Sequence, residues 1–172
     1  MLKVSVFDTV NLYDVTFSIK MKVTAMKRIV LAKPDATPYK KLAAMDAEIN
    51  KLFEAAGLAS GYSHLLRLRV SQLNGCAFCV KMHAQDAAKC GENLERIALT
   101  SAWEETGVYS EAEKAGFALA EAVTHIQNPA LFEHAYAHAL TLYTEEQIAA
   151  IEWLAIIMNT WNRVGISSQL QA

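Results

Sequence analysis

Proline and glycine are scarce in this chain, three and seven among 172 residues. So few breakers leave room for long helices. Basic runs are absent too, and the formal net charge is −2, which excludes the electrostatic footprint of a nucleic-acid binder. No apolar run approaches the ~18–20 residues of a membrane span, so no membrane partner is expected. Residues 1–20 alternate in a strand-like way at Val4, Val6, Leu12, Val15 and Phe17. They also carry Asp8 and Asp14 and lack a continuous apolar core, so no secretory signal is expected. Cysteine is limited to three residues. Three cysteines without an export signal predict a reducing, cytoplasmic location, where a Cys-x-x-Cys is more often catalytic or metal-binding than structural.

Apolar residues, by contrast, reach 53% against 20% charged. That balance is high for a soluble monomer and predicts burial between subunits, since a helix apolar on more than one side must cover both. One domain is the natural count for this length. Residues 1–36 read as an N-terminal arm. Met21 and Met26 stand before the first strongly patterned element, so the segment is either an accessory arm or a matter of start-site choice.

From Thr37 onward the pattern is helical, and residues 37–172 read as an all-α domain. Thr37-Pro38 predicts an N-cap followed by proline at the first helical position. That helix runs to about Ala56, with Leu42, Met45, Ile49, Leu52 and Phe53 inward and Gly57 as its stop. A second helix is expected near 60–73, a third near 76–90, and a shorter element from Leu94 ends before Gly107. Ser110 with Glu113, and Thr144 with Gln147, resemble capping boxes. They open helices to about Ile126 and through Trp161, with Asn128-Pro129 breaking the chain and a short helix near 131–140 between them.

The chemistry concentrates in Asn74-Gly75-Cys76-Ala77-Phe78-Cys79-Val80-Lys81-Met82-His83. Asn74-Gly75 is a turn dipeptide, so a helix starting at Cys76 puts Cys76, Cys79 and His83 at i, i+3 and i+7 on one face. Both cysteines then sit in a first turn, whose unpaired N–H groups favour thiolate over thiol. His83 lies one turn beyond Cys79. The i+4 relation makes Cys79 the expected attacking thiol and Cys76 the resolving one, with His83 as imidazolium partner or base, whereas in thioredoxin-like motifs the earlier cysteine usually attacks. Two other readings stay open on the residues alone. Cysteines are often inert core residues, and a Cys-x-x-Cys also begins many zinc sites, though no second Cys/His cluster stands at zinc-finger spacing.

Leu66-Arg67-Leu68-Arg69-Val70-Ser71-Gln72-Leu73-Asn74-Gly75-Cys76-Ala77-Phe78-Cys79, followed by Met82-His83, resembles the core motif of the alkylhydroperoxidase AhpD-like, carboxymuconolactone decarboxylase family. The similarity continues through Trp103-Glu104-Glu105, Glu113-Lys114-Ala115, Leu119 to Thr124 and Met158 to Arg163, and covers roughly residues 38–166. It implies an all-helical fold with the Cys-x-x-Cys at a helix N-terminus, assembled as trimers or hexamers. It also implies a cofactor-independent peroxidase cycle. Cys79 becomes a sulfenic acid, Cys76 condenses with it, and an external dithiol donor reduces the disulfide. His83 matches the histidine of the family's proton relay. His64 stands where many members have the relay's glutamate, and histidine also passes protons near neutral pH. Phe78 stands where some active members have a histidine between the cysteines. The decarboxylase branch lacks the Cys-x-x-Cys. The implied catalytic set is Cys76, Cys79, His83 and His64, acting on a hydroperoxide, with no metal. The competing class is a non-catalytic oligomer that senses redox state or binds metal.

Other residues carry weaker signals. His134 and His138 share a helix face without a third ligand in view, and His125 sits near a helix C-terminus. Cys90 lies outside the dithiol pattern as a small helix-end residue. Asp86, three past His83, is placed either to orient the imidazole or on the surface. Trp103, Trp153 and Trp161 read as core or interface, and Asn162-Arg163 as capping and intersubunit contacts.

Overall fold

A computed structural model describes residues 28–172. It is all-helical among those residues: α1 (Thr37–Ala55), α2 (Ser60–Asn74), α3 (Ala77–Lys89), α4 (Leu94–Leu99) running into a 3-10 turn (Thr100–Glu105), α5 (Glu111–Thr124), α6 (Pro129–Ala139) and α7 (Glu145–Ser167). Helix α2 is the centre. Leu65, Leu66, Leu68 and Val70 are all buried, and α3, α5 and α7 pack around it. Helix α7 also lies against α1, while α6 lies on α5. Both expected capping boxes form. Ser110 caps α5 with Glu113 reaching back, and Thr144 caps α7 with Gln147 reaching back.

Four expectations need correction. The N-cap of α1 is Ala36 rather than Thr37, with no side-chain cap and Pro38 inside the first turn. Proline has no N–H, so one of the donors a cap would serve is missing. Met45 and Leu52 do not face inward as their spacing implied. They stay 39% and 38% exposed, because the buried face of α1 narrows to Ile49 and Phe53. Helix α6 starts at Pro129, because Asn128 caps it by accepting from Leu131 N–H, so the pair that breaks the chain also opens the next helix. Asn162 is fully buried and bonds within the chain, as detailed below, rather than facing a neighbour.

Of the expected N-terminal arm, residues 28–36 are non-helical, and the N–H groups of Leu31 and Ala32 both donate to Ser168 Oγ at 2.9 and 3.1 Å. Residues 1–27, with their strand-like alternation, lie outside the described residues. Among the described residues no helix is long and apolar enough to cross a membrane.

Candidate active site

The turn between α2 and α3 builds the dithiol. Gly75 takes the left-handed conformation (φ 70°), its N–H bonds to Gln72 O at 3.1 Å, and Cys76 N–H bonds to Ser71 O at 3.0 Å. These two bonds are a Schellman closure of α2, which needs a residue tolerant of positive φ at that position. The residue that completes this closure, Cys76, is at once the N-cap of α3, and its Sγ accepts from Cys79 N–H at 3.4 Å. One residue therefore ends one helix and starts the next. Cys76 and Cys79 are joined by a disulfide with Cα atoms 5.3 Å apart, and both are buried.

The same turn folds α3 back against α2 and brings the two histidines together. His64 Nδ1, from α2, lies 3.4 Å from His83 Nδ1, from α3, with the rings tilted by 29°. Burial, with the Arg67 guanidinium second and His64 third, pushes His83 down to about 3. His64, half-buried, is lowered as well, again by burial first and Arg67 second. With the disulfide closed, His83 is thus neutral at physiological pH. Its Nε2 is buried without a hydrogen-bond partner in the protein. Asp86 approaches from the next turn of α3, so that one ligand atom each from His64, His83 and Asp86 lie within 4.8 Å of one another. Asp86 is held low chiefly by its contact with Lys89, at 2.7 Å.

A cavity of about 440 Å³ opens beside the dithiol, lined by Cys79 and His83 but not by Cys76. Its wall is largely apolar, with Phe78, Met82, Met158 and Trp161, and one polar corner. There Arg67, only 3% exposed, donates to Asp46 Oδ1 at 2.7 Å and to Asn50 Oδ1 at 2.8 Å. Trp161 Nε1 donates to the other Asp46 oxygen at 3.1 Å. Sequence reasoning missed this corner. Its signal was an arginine inside the apolar stripe of α2, matched by a carboxylate on α1. Gly165, in the last turns of α7, also lines the cavity. A Cβ there would stand 3.3 Å from Cys76 Sγ and 3.5 Å from Cys79 Sγ, so glycine is what lets α7 approach the sulfurs. An isolated glycine within a helical pattern was the available hint.

Asn162 supports the turn from beneath. Asn74 Nδ2 donates to Asn162 Oδ1 at 3.0 Å and to Asn159 Oδ1 at 2.9 Å, and Asn162 Nδ2 donates to Ser71 Oγ at 3.1 Å. Arg163 is exposed and bonds back to Asn159 on its own helix. Trp103 is core, donating to Glu121 at 2.6 Å, and Trp161 is cavity wall. Trp153 is 44% exposed. Cys90 is exposed and free at the end of α3. His134 and His138 are exposed on α6, and no third ligand joins them among the described residues. His125 is the C-cap of α5.

A profile of the Carboxymuconolactone decarboxylase family matches residues 39–122. The uncharacterized protein YdfG of Bacillus subtilis (strain 168) is 41% identical over 103 residues, spanning 60% of this chain and 70% of that one. A crystal structure of a protein of unknown function from Agrobacterium tumefaciens, provisionally named as an antioxidant defence protein AhpD, superimposes with a TM-score of 0.75. It is 32% identical, covering 85% of this chain and 97% of its own. The chain belongs to the carboxymuconolactone decarboxylase family and has its AhpD-like helical fold, with a Cys-x-x-Cys at the start of α3.

Proposed function

We propose that this protein is a cofactor-independent dithiol peroxidase, acting in the reducing cytoplasm on hydroperoxides that fit the apolar cavity. One observation carries the reading: the cavity is lined by Cys79 and His83 and not by the buried Cys76. In the dithiol form, His83 takes the Cys79 proton as the thiolate forms beside it, the new negative charge offsetting the burial that otherwise keeps the ring neutral, and the first turn of α3 stabilises the thiolate. The thiolate attacks the outer oxygen of the hydroperoxide, the O–O bond breaks, and the departing alkoxide takes the proton from His83 to leave as the alcohol. Cys79 is then a sulfenic acid. Cys76 attacks its sulfur, water leaves, and the disulfide closes. An external dithiol returns the two electrons by thiol–disulfide exchange through a mixed disulfide. His64, in contact with His83, passes protons between that imidazole and solvent.

The exposed apolar residues of α1 and α7, Met45 and Leu52 beside Trp153 and Ile156, support assembly as a homotrimer or homohexamer. Turnover of an organic hydroperoxide with a panel of dithiol donors tests the function, run beside Cys79→Ser. Dithiol-dependent consumption abolished by that substitution is the expected result. A dithiol that cycles between redox states without turnover would instead mark a sensor. Phe78, which cannot move a proton, lines the cavity next to Cys79 and favours that second reading.

A further inference from the structure

From the placement of His64, His83 and Asp86, we infer a binding site for a tetrahedral divalent transition metal of the zinc class, formed between α2 and α3 beside the dithiol. The spacing of the imidazoles is the first argument. Two nitrogens bound to one tetrahedral ion at ~2.1 Å stand ~3.4 Å apart, and the two Nδ1 atoms are 3.4 Å apart. The separation is also longer than the ~2.7–3.2 Å of a good nitrogen-donor hydrogen bond, so a direct bond between the rings does not account for it well.

Chemistry and access agree with the geometry. Two imidazoles and one carboxylate, with a fourth position left to water, is a donor set that zinc takes. Asp86 is partly exposed, and its protein partner Lys89 is a solvent-exposed lysine, so the carboxylate is free to rotate the remaining distance toward the ion. The other cation near the imidazoles, Arg67, is already engaged by Asp46. His64 and Asp86 both keep partial contact with solvent, which gives an entry path. An ion here would occupy both imidazole lone pairs, so metal binding and proton transfer at the dithiol exclude one another. That consequence rests on the proton route proposed above, whereas the site does not.

The experiment is therefore a binding measurement with no peroxide in it. Zn(II), and Co(II) as its coloured substitute, are titrated into the full chain carrying Cys90→Ser, with the Cys76–Cys79 disulfide closed so that no thiolate contributes. The expected result is one ion per chain, with tetrahedral ligand-field bands for cobalt and no sulfur charge-transfer band. His64→Ala should weaken binding by at least ~100-fold and Asp86→Asn by ~10-fold or more, at or beyond the range typical for losing outer-shell partners. Both positions are partly exposed, and circular dichroism checks that the variants fold. Wild-type binding no tighter than that of His64→Ala, or affinity that neither variant changes, would overturn the site and point to adventitious ligation such as the exposed His134 and His138.

Discussion

Gly165 of α7 passes Cys76 so closely that a Cβ would stand 3.3 Å from its sulfur. The dithiol is thus packed closely by α7, and its Cys79 lines the cavity. Alanine at this position needs a shift of a few tenths of an ångström, which its better helix propensity, up to ~1 kcal/mol over glycine, offsets. Valine adds two methyl groups beside sulfurs that a Cβ already crowds. Urea denaturation should find Gly165→Ala near neutral and Gly165→Val destabilised by about 1–3 kcal/mol. Equal stability of all three proteins would show that α7 does not hold this distance in solution.

The contact between His64 and His83 orders the next expectation. His83 is one turn from Cys79, and His64 Nδ1 lies 3.4 Å from His83 Nδ1. In the reduced protein, the pH dependence of iodoacetamide modification at Cys79 should move toward that of an ordinary thiol, near ~8.5, in His83→Ala. His64→Ala should shift it less. Peptide mapping assigns the label to Cys79 rather than to the exposed Cys90. A His83→Ala profile that overlays the wild type would make the histidine purely structural.

Stability should depend on pH through the same residue. Histidine ordinarily titrates near 6.5, and burial pushes His83 down to about 3. Between those values the unfolded chain binds a proton that the folded chain refuses. The favourable contribution is therefore complete above the unfolded value and is lost as pH falls toward 3. At about pH 4.5 the loss amounts to about 2–3 kcal/mol, and His64, shifted the same way, adds to it. With the disulfide intact, the difference in unfolding free energy between pH 7 and pH 4.5 should shrink by about that amount in His83→Gln. No change on substitution would mean that the folded protein accepts the proton, against the neutral base proposed here.

Assembly is tested at the apolar strip. Trp153 is 44% exposed and lines one groove with Met45 and Leu52 of α1. Trp153→Glu places a charge where a subunit contact would have to desolvate it. Light scattering at micromolar concentration should show an oligomer for the wild type and a smaller species for the variant. A wild-type monomer would contradict the assembly outright.

Much of this protein was legible in its sequence, because the signals are local. Capping boxes at Ser110 and Thr144, the turn at Asn74-Gly75 and the i, i+3, i+7 placement of Cys76, Cys79 and His83 all depend on residues within two helical turns of one another. Short-range hydrogen bonding and helix periodicity decide those features before any packing occurs. What needed the tertiary structure joins residues distant in the chain. Arg67 meets Asp46 across α1 and α2, Asn162 reaches back to Ser71 and Asn74, and Gly165 meets the sulfurs at the far end of the fold. The inward faces of α1 were misjudged for the same reason. Periodicity identifies an apolar stripe, but only the neighbouring helices determine how much of it they cover, and Met45 and Leu52 were left outside. The depressed titration of His83 is likewise a property of burial and of Arg67 nearby, which no spacing along the chain specifies.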